Sequence, residues 1–256
     1  MEKKKVFIWV ALIAIIAVIV FNLFSNGKQE DIIIDKEFSN VEIESDNAEV
    51  RLMSINDNDA SIELENNEKN RYTLDVKVKG KTLEIDVNRK GFRWFSFDFF
   101  SKSPVVIVGL PKNEYGTIKI ETDNGAIKVS EIELKELLAD TDNGEIDIKE
   151  VESGKIAVET DNGDVLIENS SGVINGQTNN GDVTVMNDSI DAPMDLETDN
   201  GEILVKTKGE SKNLQYNVKT DNGKVNIYGQ STTDKVIGDG KIIIQLESDN
   251  GNITIE

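Results

Sequence analysis

Cysteine and histidine are both absent from the 256 residues of this chain. Without cysteine there is no disulfide framework and no thiolate metal site. Without histidine there is no His-based triad, no imidazole metal ligand and no imidazole general base. Only three prolines occur, which argues against long disordered linkers. Aromatic residues make up 6% of the chain, so a concentration of them anywhere stands out. Positive charge is scarce: 28 Lys and Arg face 48 Asp and Glu, a formal net charge of −20. That excess repels nucleic-acid phosphates and anionic lipid surfaces, and it favours cations and basic partners.

One long apolar run is present. Lys3, Lys4 and Lys5 precede an apolar stretch from Val6 to Phe24, interrupted only by Asn22. As a helix it would span about 28 Å, close to the thickness of a hydrocarbon core. The run is too long for the core of a cleaved signal peptide, and it ends Phe21-Asn22-Leu23-Phe24-Ser25 without an Ala-x-Ala site. It therefore reads as an uncleaved transmembrane anchor. The three lysines hold the N-terminus in the cytoplasm and place the rest of the chain outside. The expected organisation is a cytoplasmic tail at 1–5, the anchor at 6–24, a polar tether at 25–30, a less regular β region at 31–111 and regular repeats at 112–256.

The repeat is Asp-Asn-Gly followed by x-[Ile/Val]-x-[Ile/Val]. Its turns are Asn124-Gly125, Asn143-Gly144, Asn162-Gly163, Asn180-Gly181, Asn200-Gly201, Asn222-Gly223 and Asn250-Gly251, with glycine spacings of 19, 19, 18, 20, 22 and 28. A fixed period near twenty with a turn and a strand in each copy marks a repeat architecture. Ser45-Asp46-Asn47-Ala48 looks like a degenerate first copy. Alternation before each turn (Ile156, Val158, Thr160) and after it (Val165, Ile167) has opposite parity, because Thr160 and Val165 are five residues apart. A continuous strand would put them on opposite faces, so the chain must bend at the turn for both strands to share a core. Asn and Gly tolerate positive φ at such a bend, and Asp can cap it. A hairpin in an antiparallel sheet and a corner of a parallel solenoid both fit. The near-constant coil length favours the solenoid. The fold expected is all-β: a parallel β-solenoid, β-helix-like, with coils of about 19–20 residues, preceded by a transmembrane helix. In the first third, Ser61–Leu64, Tyr72–Val78, Thr82–Val87 and Val105–Val108 read as strands, with Lys79-Gly80-Lys81 as a hairpin turn.

The anchor, the block Val41-Glu42-Ile43-Glu44-Ser45-Asp46-Asn47, the strand Thr82–Val87, the segment Val105–Pro111 and the Thr-Asp-Asn-Gly series together resemble a bacterial adhesin-type domain family of unknown function. That family includes the LiaG-type membrane proteins of Gram-positive bacteria. The resemblance covers nearly the whole chain. It implies a membrane protein facing outward, linked to envelope stress, and supplies no catalytic residues.

Three constellations are candidates for function. The first is the carboxylate ladder Asp123, Asp142, Asp161, Asp199, Asp221 and Asp249, with Glu145, Asp164, Asp182 and Glu202 after the glycines. Stacked one coil apart, two such charges repel by about 0.9 kcal/mol in water, and Ca²⁺ is the cation such oxygens would attract. The break at Asn179 and the lack of a calcium β-roll motif favour a structural turn, with no cofactor. The second is the asparagine ladder of the turns, whose amides can hydrogen-bond from coil to coil or face a repetitive glycan. The third is the segment 91–101, where Phe92, Arg93, Trp94, Phe95, Phe97, Phe99 and Phe100 concentrate six aromatics in nine residues. It reads either as a cap on the solenoid core or as a contact for the membrane or a partner protein. Every acid has equivalents in other coils, so no singular catalytic cluster stands out and no enzyme is expected. The expected function is an interaction or sensing module at the cell envelope. The alternative is a surface adhesin or cell-wall glycan binder that uses the repeat face.

Overall fold

The computed structural model describes residues 32–67, 71–90, 103–209 and 212–256. The expected anchor at 6–24, the tether at 25–30 and the aromatic segment from 91 to 101 lie outside the described residues. Among the described residues every regular element is a strand, and no helix is long and apolar enough to cross a membrane.

The first third contributes β1 (Ile32–Ile34), β2 (Asn40–Ser45), β3 (Glu49–Ile55), β4 (Ala60–Glu65), β5 (Tyr72–Lys79), β6 (Thr82–Arg89) and β7 (Val105–Pro111). The regular repeats contribute β8 (Glu114–Thr122), β9 (Ile127–Ser130), β10 (Glu133–Thr141), β11 (Ile146–Lys149), β12 (Glu152–Asn162), β13 (Val165–Glu168), β14 (Ser171–Asn180), β15 (Val183–Asn187), β16 (Met194–Asn200) and β17 (Ile203–Thr207). The last stretch adds β18 (Leu214–Thr220), β19 (Val225–Ile227), β20 (Asp234–Ile237), β21 (Ile242–Ser248) and β22 (Ile253–Ile255).

Each repeat is one two-legged coil. A long leg such as β12 runs to the Asp-Asn-Gly turn, which carries the chain across to a short leg such as β13. Long legs pair with long legs and short legs with short legs, all parallel and in matching register: Ile156 sits beside Leu137 and Ile174, and Val165 beside Ile146 and Val183. The result, among the described residues, is two eleven-stranded sheets face to face. The turn is thus a corner between sheets rather than a hairpin. Thr160 and Val165 are both buried, and inward Ile and Val from the two legs meet in one continuous core. β-Branched side chains suit such positions because they pack on a pleated surface with little rotamer freedom to lose.

The order in space departs from the order in sequence at both ends. The coils stack as β6/β7, β2/β3, then β8/β9 through β16/β17, then β21/β22, and last β18/β19. The C-terminal coil is therefore inserted between the two coils that precede it. At the other end β6/β7 lies outside β2/β3 in the same way. Nine coils about 4.8 Å apart make a stack of about 40 Å. Antiparallel strands finish the ends: β4 on β7 and β1 on β4, β5 on β6, and β20 on β18. The β5–β6 turn carries Gly80 at φ 63°. Residues 31–111 do not form a separate core, since β2 and β3 pack directly on β8 and β9.

Candidate functional site

The turn edge is built from three stacked residue types. Along it the asparagine side chains form one ladder, in the order Asn47, Asn124, Asn143, Asn162, Asn180, Asn200, Asn250 and Asn222. Each Nδ2 donates to the Oδ1 of the preceding amide at 3.0–3.2 Å. For Asn124 through Asn250 the same Nδ2 also donates, at 3.2–3.4 Å, to a backbone carbonyl of the neighbouring turn. Beneath them lies a row that the sequence reading counted only as apolar alternation. Thr141, Thr160, Thr178, Thr198, Ser248 and Thr220 donate their hydroxyls to the carbonyls of Gly125, Gly144, Gly163, Gly181, Gly201 and Gly251 at 2.9–3.0 Å. Thr122 does so to Ala48, which occupies the glycine place in the first copy. All but Thr220 of this row are buried, so each buried hydroxyl finds its acceptor in a carbonyl of the neighbouring turn.

The glycines serve a purpose other than the one expected. The positive-φ residues do not include the turn asparagines or turn glycines. Instead Gly125, Gly144, Gly163, Gly181, Gly201, Gly251 and Gly223 each stack on the carbonyl of the residue one coil back. A Cβ at Gly144 would sit far inside van der Waals contact with the Gly125 oxygen, where about 3.5 Å is needed. The left-handed residues lie at the opposite corner, where Glu131, Glu150 and Asn169 have φ of 57°, 53° and 46°. The bend at the turn comes from close stacking, and the variable corner carries the backbone strain.

The outer face of the long-leg sheet is acidic. One row runs Asp86, Glu44, Glu121, Asp140, Glu159, Gln177, Glu197, Glu247 and Lys219 across paired strands. Beside it runs the turn row Asp46, Asp123, Asp142, Asp161, Asn179, Asp199, Asp249 and Asp221. Both rows switch to neutral amides in the same coil. There Gln177 donates to Glu197 at 3.3 Å and Asn179 to Asp161 at 2.8 Å. Residues 112–205 hold 23 carboxylates against six lysines, so the middle coils carry most of the net charge. Lys119 pairs with Glu121 at 2.6 Å and Lys155 with Glu136 at 3.2 Å. Among the described residues no lysine or arginine pairs with Asp140, Glu159 or Glu197. Partial burial raises the Asp140 pKa, and Glu159, Glu121, Asp142 and Asp161 raise it further. Glu197 is raised for the same reasons, with Glu247 the largest of its charged neighbours. Leu138 and Ala157 form the half-exposed floor of a shallow groove of about 330 Å³ rimmed by Glu121, Asp140 and Glu159.

The short-leg face is different, because its charges are matched. Lys128 reaches Glu145 at 2.8 Å and Glu49 at 3.8 Å, and Lys149 reaches Asp147 and Glu168 at 3.0 and 3.2 Å. The acids just after the glycines are occupied too. Asp164 accepts the backbone N–H of Asp182, and Asp182 accepts that of Glu202. Among the described residues no three acids converge in an arrangement that could hold a metal ion. The aromatic segment is placed only by its flanks. In the sequence it lies between β6 and β7.

Stacked coils joined by an amide edge define a two-sheeted, solenoid-like all-β repeat protein. The chain belongs to the Toastrack DUF4097 family, whose profile matches residues 38–171 and again residues 117–256. No curated protein matches the sequence. Among solved structures, the chain is similar to a "putative cell adhesion protein" from Clostridium sporogenes, at 19% identity, 89% of this chain, 99% of that one and a TM-score of 0.36. It is also similar to a "putative adhesin" from Bacteroides fragilis, at 12% identity, 90% and 96% coverage and a TM-score of 0.48. A third, a "putative adhesin" from Parabacteroides distasonis, has 15% identity, 89% and 96% coverage and a TM-score of 0.42.

Proposed function

We propose that this chain is a membrane-tethered interaction module that presents the acidic sheet face to a basic partner at the cell envelope. The observation that carries this reading is the carboxylate row Asp140, Glu159 and Glu197 over the middle coils, which has no lysine or arginine partner among the described residues and lies beside a groove with an apolar floor. Self-repulsion along that row is relieved when a cationic surface docks, which favours a basic protein and disfavours nucleic acid. The lysine-led run at 6–24 supports a single-pass place in the cell membrane with the N-terminus in the cytoplasm and the coils outside. Likeness to the LiaG-type proteins supports an envelope-stress setting. The repeated, equivalent acids suit binding rather than catalysis, so we read the chain as a non-enzyme without a cofactor.

The second reading is an adhesin or glycan binder that uses the turn edge. The ladder amides argue against it as the first choice, because most of their Nδ2 groups already have two acceptors and offer little to a sugar. The aromatic segment at 91–101 is read, on its composition alone, as a membrane or partner contact.

The absence of cysteine makes single-cysteine labelling clean. Leu138→Cys in living cells should react with a membrane-impermeant maleimide if the coils face outward; protection until lysis would overturn the location. Photo-crosslinkers at Leu138 and Ala157 should capture a basic protein, and capture should disappear with Asp140→Asn plus Glu159→Gln. Equal capture from Leu166 and Leu204 on the matched face, or capture indifferent to those charges, would sink the reading. Capture that persists without residues 1–30 and is competed by wall glycan would support the adhesin instead.

A further inference from the structure

The end of the asparagine ladder is a site of covalent change. We propose that Asn222 is the ladder position that deamidates in the folded protein, through a succinimide with Gly223, while the stack protects its six Asn-Gly equivalents. In this reaction the backbone nitrogen of Gly223 attacks Cγ of Asn222. The bond from Cγ to Nδ2 breaks, and ammonia leaves with the proton of the attacking amide. Water then opens the five-membered ring at either carbonyl, giving aspartate or isoaspartate. No oxidant and no enzyme is needed. A glycine in the following position exposes its nitrogen because it has no side chain to hinder the approach.

Every regular repeat carries this reactive dipeptide, so the sequence makes all seven look alike. Stacking separates them. An interior amide such as Asn162 donates to Asn143 Oδ1 and to the Asp142 carbonyl, and its own Oδ1 accepts from Asn180. Rotating that amide onto its neighbour's nitrogen breaks all three bonds. Two of the attacking nitrogens are held as well: Gly163 N–H donates to the Asn180 carbonyl and Gly181 N–H to the Asn200 carbonyl. Asn222 stands last in the stack. It donates to Asn250 Oδ1 at 3.0 Å, and no ladder amide follows to donate to its own Oδ1. β19 is the edge of its sheet, and Gly223 is the exposed member among the seven turn glycines. The short leg of the end coil, β19, has a neighbouring strand on one side only, so it opens at lower free energy than an interior leg. At the opposite end the ladder begins with Asn47, which is followed by Ala48 and lacks the reactive pair.

The product would matter locally. Isoaspartate adds a methylene to the backbone where Gly223 stacks on the Gly251 carbonyl, and either product adds a negative charge beside Asp221 and Asp249. Both loosen the outermost coil and leave the interior intact.

The test is peptide mapping of the full-length chain in detergent, aged at mildly alkaline pH. Lys219 and Lys224 bracket the site, and the two Asn-Gly pairs outside the ladder, Asn26-Gly27 and Asn175-Gly176, map to other peptides. Asn222 should convert on the order of tenfold or more faster than Asn143, Asn162, Asn180 and Asn200. In urea all seven should convert at similar rates. Asn222→Gln should abolish the early acidic species and leave the interior peptides unchanged. Equal rates along the folded ladder, or an Asn222 as stable as the interior sites while the unfolded chain reacts, would overturn the proposal.

Discussion

At the residue scale, stability rests on contacts between identical positions one coil apart. Gly144→Ala puts a methyl group against the Gly125 carbonyl, which is backbone and has little room to move. Urea unfolding should show a loss of about 3 kcal/mol or more, or failure to fold, as for other overpacked sites that force the backbone apart. Thr160→Val keeps the shape but removes the hydroxyl that donates to the Gly144 carbonyl at 3.0 Å. That half-buried carbonyl loses its partner, so the same measurement should register a loss of about 1 kcal/mol. At the other corner, Glu150 adopts φ 53°, whereas the next coil uses Asn169 there. Glu150→Asn should stabilise by about 0.5–1 kcal/mol, because asparagine tolerates the left-handed region better. Unchanged stability in the glycine variant would mean that the stack is looser than its geometry indicates. The threonine row was visible in the sequence as a repeated letter. Its hydrogen bonds were not, because they join residues in different coils.

At the element scale, the surprise is the order of the ends. Spacings of 22 and 28 residues set the last two repeats apart from the others in length. They did not reveal that the last coil lies inside the one before it. Every coil presents the same inward rows and the same turn, so any coil can stack on any other, and local pattern cannot name the neighbour. The consequence is measurable. A chain ending at Gly240 loses β21 and β22, which support β18 through the pairs Tyr216–Ile244 and Val218–Leu246. Hydrogen exchange should then show lost protection at 214–227 as well as loss of the deleted coil. Full protection at 214–227 would mean that the outer coil closes directly onto β16 and β17.

At the scale of the whole molecule, charge is unevenly placed and stability should follow it. Asp140 and Glu197 have pKa values raised in the folded state, so folding takes up protons there before the unfolded chain does. Their charged forms weaken the fold at neutral pH, and that penalty is relieved as pH falls through the raised values towards the ordinary 3.8 and 4.5. Glu84 is the opposite case: its hydrogen bond from Lys77 lowers its pKa, and its contribution is lost only below 4.5. Tm should therefore rise as pH falls from neutral towards 4.5, and added salt should raise it at neutral pH by screening the row. Asp140→Asn with Glu197→Gln should flatten both trends. A Tm that falls with mild acid or with salt would show that the lysine pairs dominate instead.

The sequence by itself determined the all-β class, the coil length, the inward rows and the bend at each Asp-Asn-Gly, because these follow from side-chain parity over a few neighbouring residues. Tertiary structure alone decided which coil lies beside which and why glycine is required at the turn. It also decided which carboxylates lack a basic partner among the described residues and which asparagine ends the ladder. Those outcomes depend on contacts between residues distant in the chain, and interchangeable repeats carry no local record of their neighbours.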